Sequence, residues 1–246
     1  MRLPGGVSVP GAARTYEVGS VDRGEVLRYL GYRDQLIDEG LDARIDEVVA
    51  RCLAVARARG VTRVFEVAGR DERGGVPVVR LSGTALELVG RSIDEHLDGA
   101  VAVGVLAVTA GMGLDAELRR LSLTDRVAQV ILDAAGSAVV ERAADAAEAD
   151  LVAEAAARGL FCGSRFSPGY GDLPLETQPV LLAALDAQRA LGITLSRSLL
   201  MSPTKSVTAV VGLFERPRGT VRASCAACPC RDFCLLRRSG RACGAR

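Results

Sequence analysis

The sequence predicts an α+β fold, and three observations carry that expectation. Helical and extended segments alternate irregularly and without repeats, which argues against a doubly wound parallel sheet. Two Val-rich runs, Thr62 to Ala68 and Val76 to Leu81, are spaced for a hairpin with a loose loop, Asp71-Glu-Arg-Gly-Gly75, between them. Asp34 to Arg59, and a long Ala-rich stretch reaching about Arg158, have helical periodicity with one face for a core. With 246 residues, 49% of them hydrophobic, the chain can bury one large core or two small ones. A single elaborated domain over residues 1–214 is expected, followed by a basic, Cys-rich tail over 215–246.

Each element has a local chemical reason. Asp22 is placed to cap a short helix from Glu25 to Leu30. Within Asp34 to Arg59, Leu36, Ile37, Leu41, Ile45, Val48, Val49, Leu53 and Ala56 fall near helical spacing, and Gly60 supplies a stop. Thr84 to Leu97 returns to helix after the hairpin. Ala100 to Thr109 is the most apolar strand, and Gly111-Met-Gly113 turns the chain into a short helix ending near Leu121. Ser122-Leu-Thr-Asp125 matches a capping box for the long helix. Gly136-Ser-Ala138 in the middle of that helix would let another backbone approach closely. Thr177 is expected to cap a helix running to Leu191 and ended by Gly192. Val207 to Phe214 is the last β-rich run, and Glu215 to Ala223 links it to the tail.

Composition narrows the function classes. The longest uncharged run, Gly99 to Leu114, is shorter than the roughly 20 residues that span a bilayer and contains Gly104, Gly111 and Gly113 after its opening glycine. Met1 to Ser20 has no sustained apolar segment of a secretory signal, so the expected location is the cytoplasm, without a membrane partner. Net charge is +1, yet Arg216 to Arg246 holds eight arginines against Asp232, +7, and the remainder carries −6. Such a tail can attract nucleic acid or steer an acidic protein partner. Lys205 is the sole lysine among 31 basic residues, so a bias towards arginine in the source genome accounts for part of the pattern, and nucleic acid is not the expected partner.

Of seven cysteines, Cys52 and Cys162 stand singly in apolar surroundings, whereas Cys225, Cys228, Cys230, Cys234 and Cys243 cluster. Cys-x2-Cys with further cysteines close by suits zinc or an iron–sulfur cluster, since both take thiolates from short loops. Reactive or regulatory thiols are the alternative.

Two Gly/Pro-punctuated loops hold the other unusual chemistry. Arg165-Phe-Ser-Pro-Gly-Tyr-Gly-Asp-Leu-Pro-Leu175 joins a five-donor guanidinium suited to a carboxylate to a rigid Pro-Gly bend, where backbone can meet a ligand, and then to a phenol. The plainer alternative pairs Arg165 with a nearby acid and leaves Pro-Gly as a turn. Met201-Ser-Pro-Thr-Lys-Ser-Val207 places Lys205 among hydroxyls, to bind an anion or to hold the loop against the Arg165 segment.

Arg-x-x-Pro-Gly-Tyr, followed by Gly-Asp-x-Pro-Leu and later by Pro-Thr-Lys-Ser-Val, resembles the activation (reactivation) domain of cobalamin-dependent methionine synthase, in particular its free-standing activation subunits. Val21 to Gly31 and Ile131 to Glu141 extend the likeness more weakly. The resemblance implies a mixed, largely antiparallel sheet with long flanking helices, plus the short Cys-rich tail. It implies an S-adenosylmethionine site in which Arg165, the backbone of Ser167, and Gly169 meet the ligand, with Asp22 and Glu141 as further contacts. Asp22 as acceptor for the ligand's ammonium competes with its use as a helix cap. In the same resemblance Tyr170 faces the corrin, where its hydroxyl can hold a water near cobalt, and this makes it the catalytic candidate. A family tyrosine near the end of the last strand has no counterpart in Phe214 to Thr220.

His96 is the sole histidine and no Asp-x-His-x-x-Gly run exists to supply a lower axial ligand, so cobalamin is expected on a partner chain. Neither a Gly-x-Gly-x-x-Gly turn nor a Walker sequence suggests a dinucleotide or ATP site. The function implied is therefore that of an accessory subunit of methionine synthase, in the methyltransferase class. It would bind S-adenosylmethionine and support reductive methylation of cob(II)alamin on its partner, with flavodoxin or ferredoxin as electron donor. A non-catalytic metal-binding adaptor, or an activator of another corrinoid methyltransferase, is the alternative.

Overall fold

A computed structural model describes residues 12–32 and 35–217. Every residue of Ala102–Thr109 is buried, and that one fact shapes the architecture. A strand apolar on both faces must be covered on both faces, and here helices supply the two covers. Alternate residues go to separate cores. Ala102, Leu106 and Val108 pack with Ala209, Val211 and Leu213 under one helical layer, and Val103, Val105 and Ala107 pack with Val210 and Phe214 under the other.

In chain order the elements are β1 (Arg14–Thr15), α1 (Arg23–Tyr29), α2 (Glu39–Val55), β2 (Arg59–Arg73), β3 (Val76–Leu81), β4 (Glu87–Val89), α3 (Arg91–His96), β5 (Ala102–Thr109), α4 (Met112–Thr124) and α5 (Arg126–Ala157). Then come β6 (Phe161–Phe166), a 3-10 turn at Leu175–Thr177, α6 (Gln178–Ala184), α7 (Ala187–Leu191), β7 (Thr194–Leu195), β8 (Met201–Ser202) and β9 (Ser206–Phe214). The main sheet runs β4-β3-β2-β5-β9-β6, with β1 on the start of β2, and every ladder among the described residues is antiparallel. The α+β expectation with an antiparallel sheet and long flanking helices is met. The parallel pairing that a mixed sheet allows does not occur among these residues.

Several boundaries differ from the sequence reading, each for a physical reason. Asp38, not a residue near 34, caps α2, and Gly60 is no stop: it is already in β2, where an added Cβ would meet Val108 at 3.0 Å. The hairpin loop is tight rather than loose, since Asp71 to Arg73 stay in the ladder and Gly74-Gly75, with φ of +59° and +81°, close it in two residues. Thr84 to Leu97 is not one helix. Leu86 and Leu88 are both buried around half-exposed Glu87, a period of two that places this segment on β3 as β4. Ser122 remains inside α4, its hydroxyl donating to the Arg119 carbonyl, and Asp125 caps α5 by accepting from the Ala128 amide at 3.0 Å. Thr177 makes no side-chain cap, and the helix expected up to Leu191 breaks at Asp186, which is left-handed at φ 53°.

At 32 residues α5 is about 48 Å long at 1.5 Å per residue, and its buried face is mostly alanine, which lets it lie close to the sheet. What crosses Gly136 is the Lys205 stem rather than a backbone, with Cγ 3.2 Å from where a Cβ would stand. The Lys205 ammonium pairs with Asp133 at 2.7 Å and donates to Ser137 at 3.0 Å, so the lysine packs its loop onto α5 and not onto the Arg165 segment.

Glu117 joins α4 to α2 through Arg51, and it also bonds Arg120. The Arg120 hydrogen bond, opposed by burial and assisted by the bond and charge of Arg51, lowers the Glu117 carboxyl from 4.5 to about 2. A depressed folded-state value means stability that is fully present above pH 4.5 and lost as pH falls through about 2. Glu117→Gln is therefore expected to flatten the acid limb of a melting-temperature profile in that window and to leave its neutral-to-alkaline shape alone. An unchanged acid limb would contradict this.

Candidate functional site

The Arg165 loop leaves the sheet at its β6 edge. Opposite Val211 to Leu213 of β9, β6 runs from Cys162 to Arg165, so one extra residue is accommodated as a bulge at Gly163-Ser164. Gly163 and Gly212 make room there: a Cβ on Gly163 would meet the Phe214 ring at 3.1 Å. The bulge re-aims the next two side chains. Arg165 turns towards α5, and Phe166 turns to the opposite side, against the core that contains Ile93 and Leu173.

On α5, Glu141, Asp145 and Glu148 recur at helical spacing and face Arg165 together. Nη2 donates to Glu141 at 3.2 Å and to Asp145 at 2.8 Å, and Nε lies 3.5 Å from Glu148. The guanidinium is thus already paired, as the plainer reading of the sequence has it. It is also not fully used: Nη1 is buried and has no hydrogen-bond partner among the described residues. Three carboxylates thus gather around one guanidinium that still has an unanswered donor. Asp145 and Glu148 were missed in the sequence, although their spacing from Glu141 is visible there.

Beyond Phe166, Ser167-Pro-Gly-Tyr170 closes a turn in which the Tyr170 amide donates to the Ser167 carbonyl at 3.0 Å, with Gly169 at φ +89°. Pro at the second position and Gly at the third are what a type II turn requires. The Gly169 amide donates to the Leu173 carbonyl at 2.9 Å, and the Leu173 amide donates back to Tyr170 at 3.0 Å. Tyr170 is 60% exposed, its ring edge-on to Phe166 at 6.1 Å.

Asp172, whose contacts no local pattern in the sequence indicates, fastens the loop to α3. Its Oδ2 accepts from the Arg91 amide at 2.7 Å and its Oδ1 from the Ser92 amide at 2.9 Å. Burial pushes this carboxyl up, but the two amides and the Ser92 hydroxyl outweigh that and hold it below the usual carboxylate range.

Asp22 caps α1 as expected. Its Oδ1 accepts from Gly24 at 2.6 Å and Glu25 at 3.3 Å, and none of these bonds reaches the Arg165 loop. The segment before it, Glu17 to Ser20, lines an open pocket of about 150 Å³ whose far wall is Arg142 and Ala146, the residues next to Glu141 and Asp145 on α5. That volume is below the ~300 Å³ floor of whole-ligand pockets, so it suits part of a molecule. Cys52 is buried, and burial takes its thiol up to about 12, against the opposing charge of Lys205. Cys162 is only half-buried, its thiol raised by burial and by the Glu148 charge. Cys225, Cys228, Cys230, Cys234 and Cys243 lie outside the described residues, and among those described no group of His, Cys, Asp and Glu is arranged to hold a metal ion. Among the described residues no helix is long and apolar enough to cross a membrane.

A family model described as "Vitamin B12 dependent methionine synthase, activation domain" matches residues 93–219, more than half of the chain. That span contains Glu141 and the whole Arg165 loop but not Asp22. A solved structure, titled "Crystal Structure of the MetH Reactivation Domain bound to AdoHcy", superposes with a TM-score of 0.57 at 16% identity, covering 95% of this chain and 88% of that one. At that identity the likeness speaks for the fold. No curated protein matches significantly.

Proposed function

The chain belongs to the family of vitamin B12-dependent methionine synthase activation domains, and from that premise we propose that it is an activation subunit that binds S-adenosylmethionine and supports reductive methylation of cob(II)alamin held on a partner chain. The observation that carries this reading is the Arg165 cluster. A buried N–H without an acceptor, on a guanidinium with carboxylates close by, suits a ligand with a carboxylate and an ammonium on one carbon, the amino-acid end of S-adenosylmethionine.

In this reading Arg165 Nη1 takes the carboxylate, Glu141 stays beside the ammonium, and the backbone at Ser167 and Gly169 lies along the ligand. Asp22 joins them without losing its cap, because both cap bonds use Oδ1. Tyr170 would present its exposed phenol to the partner's corrin, where its hydroxyl would hold a water near the cobalt. Cobalamin on that partner supplies the cobalt that accepts an electron and then the methyl group. Flavodoxin or ferredoxin is the proposed electron source, the cytoplasm the compartment, and an iron–sulfur cluster or zinc the proposed occupant of the tail cysteines. The chain's own contribution is positioning.

The three acids around Arg165 favour a second reading, in which that cluster is only an ion-pair hub within a metal-binding adaptor. Calorimetric titration separates the two. Saturable 1:1 binding of S-adenosylmethionine is expected, and no binding to the wild type, even with a cobalamin-loaded methionine synthase chain present, overturns the first reading. Tyr170→Phe is expected to bind S-adenosylmethionine as the wild type does but to slow recovery of oxidised methionine synthase by about tenfold or more. Recovery at the wild-type rate would remove Tyr170 from the chemistry. Equal recovery of an unrelated corrinoid methyltransferase would point to that partner class instead.

A further inference from the structure

We infer that α3 is a brace that holds the Arg165–Tyr170 loop in its binding shape, with His96 and Asp172 as the positioning residues that fasten the loop to the two ends of that helix. The inference rests on the proposed function for what the loop binds.

The two fastenings are independent contacts at opposite ends of α3. At its N-terminus Gly90 is the cap position and has no side chain to offer, so the Arg91 and Ser92 amides take the Asp172 carboxylate from the far side of the loop. Gly90 is needed for this approach, because a Cβ there would stand 2.6 Å from Asp172 Oδ1. At the C-terminus, His96 Nε2 donates to the Ser164 carbonyl at 2.8 Å, within the bulge that aims Arg165. A carbonyl can only accept, so Nε2 carries the hydrogen. The same imidazole lies 5.0 Å from the Phe166 ring, and Phe166 is the ring against which Tyr170 packs.

Between Ser164 and Asp172 stand Arg165, Ser167, Gly169 and Tyr170, every proposed ligand or corrin contact of the loop. Both ends of that span are tied to one helix, and the helix is fixed to the core by Ile93 and Leu97, each fully buried. A loop ordered in advance does not spend ligand binding energy on its own ordering. The brace thus links a core packing feature to ligand affinity.

Hydrogen exchange read by mass spectrometry, with no ligand present, tests the brace directly in the full chain. In His96→Ala and in Asp172→Asn, peptides covering Gly169 to Leu173 are expected to exchange about tenfold faster, the size of one lost cap, while β5 and β9 keep their protection. His96→Gln, whose amide N–H can reach the same carbonyl, is expected to restore most of it. S-Adenosylmethionine affinity should fall and recover in step. Loop exchange unchanged in both variants, or His96→Gln no better than His96→Ala, overturns the brace. A wild type that fails to bind S-adenosylmethionine overturns the proposed function instead, and the exchange data still decide the brace.

Discussion

Arg165→Ala is expected to weaken S-adenosylmethionine binding by at least about 100-fold, the usual consequence of truncating one partner of a desolvated charge pair. The side chain is only 17% exposed, and it is the cation that Glu141, Asp145 and Glu148 share. Without it, three carboxylates remain on one face of α5 at mutually repulsive spacing. They keep 24–29% of their own exposure, so water offsets part of the loss. A stability cost of about 2 kcal/mol is a reasonable expectation for hydrogen bonds to a charged group under that partial screening. Arg165→Lys separates the two effects. A lysine can return a positive charge to the acids but not the planar fork, so stability should recover more than binding does. Isothermal titration and thermal melts on the three proteins check both quantities. Wild-type affinity in Arg165→Ala would remove the guanidinium from the ligand site and leave it a structural ion pair.

Where the sequence was legible, a single local rule decided the outcome. The unbroken apolar run in β5 could only be a buried strand, and the Ala-rich periodicity of α5 could only be a long packed helix. Turn chemistry was equally direct at Pro168-Gly169. The reading failed where two local rules competed, as at Thr84 to Leu97, where helix-compatible composition hid the period-two alternation of Leu86 and Leu88. Long-range contacts carry no local trace. Gly90 looks like a helix start without a cap, because Asp172, which takes that role, is 81 positions from Arg91. In the same way Glu141 was visible as one acid among many on α5. Its place beside Arg165 depends on a bulge in β6 that no residue spacing announces.

Gly171→Ala is the substitution expected to do most damage to the loop without touching a proposed ligand contact. Gly171 has φ +53°, a left-handed conformation that costs an alanine about 1 kcal/mol or more. Space is a second obstacle, since a Cβ would stand 2.6 Å from Ser92 Oγ and 2.7 Å from Ser92 Cβ. Ser92 cannot retreat easily, because its amide and hydroxyl both hold Asp172 and its neighbour Ile93 is fully buried. Overpacking of this kind costs about 1–3 kcal/mol, so the total expected loss of stability is about 2–4 kcal/mol. Adding Ser92→Gly to Gly171→Ala relieves the contact and leaves the backbone cost, so the double variant should recover stability despite losing the Ser92 hydroxyl. Chemical denaturation of the two single variants and the double variant gives the coupling. Strictly additive losses would mean that the loop and α3 move apart freely, whereas a strong favourable coupling means that the close approach of Gly171 to Ser92 holds them together.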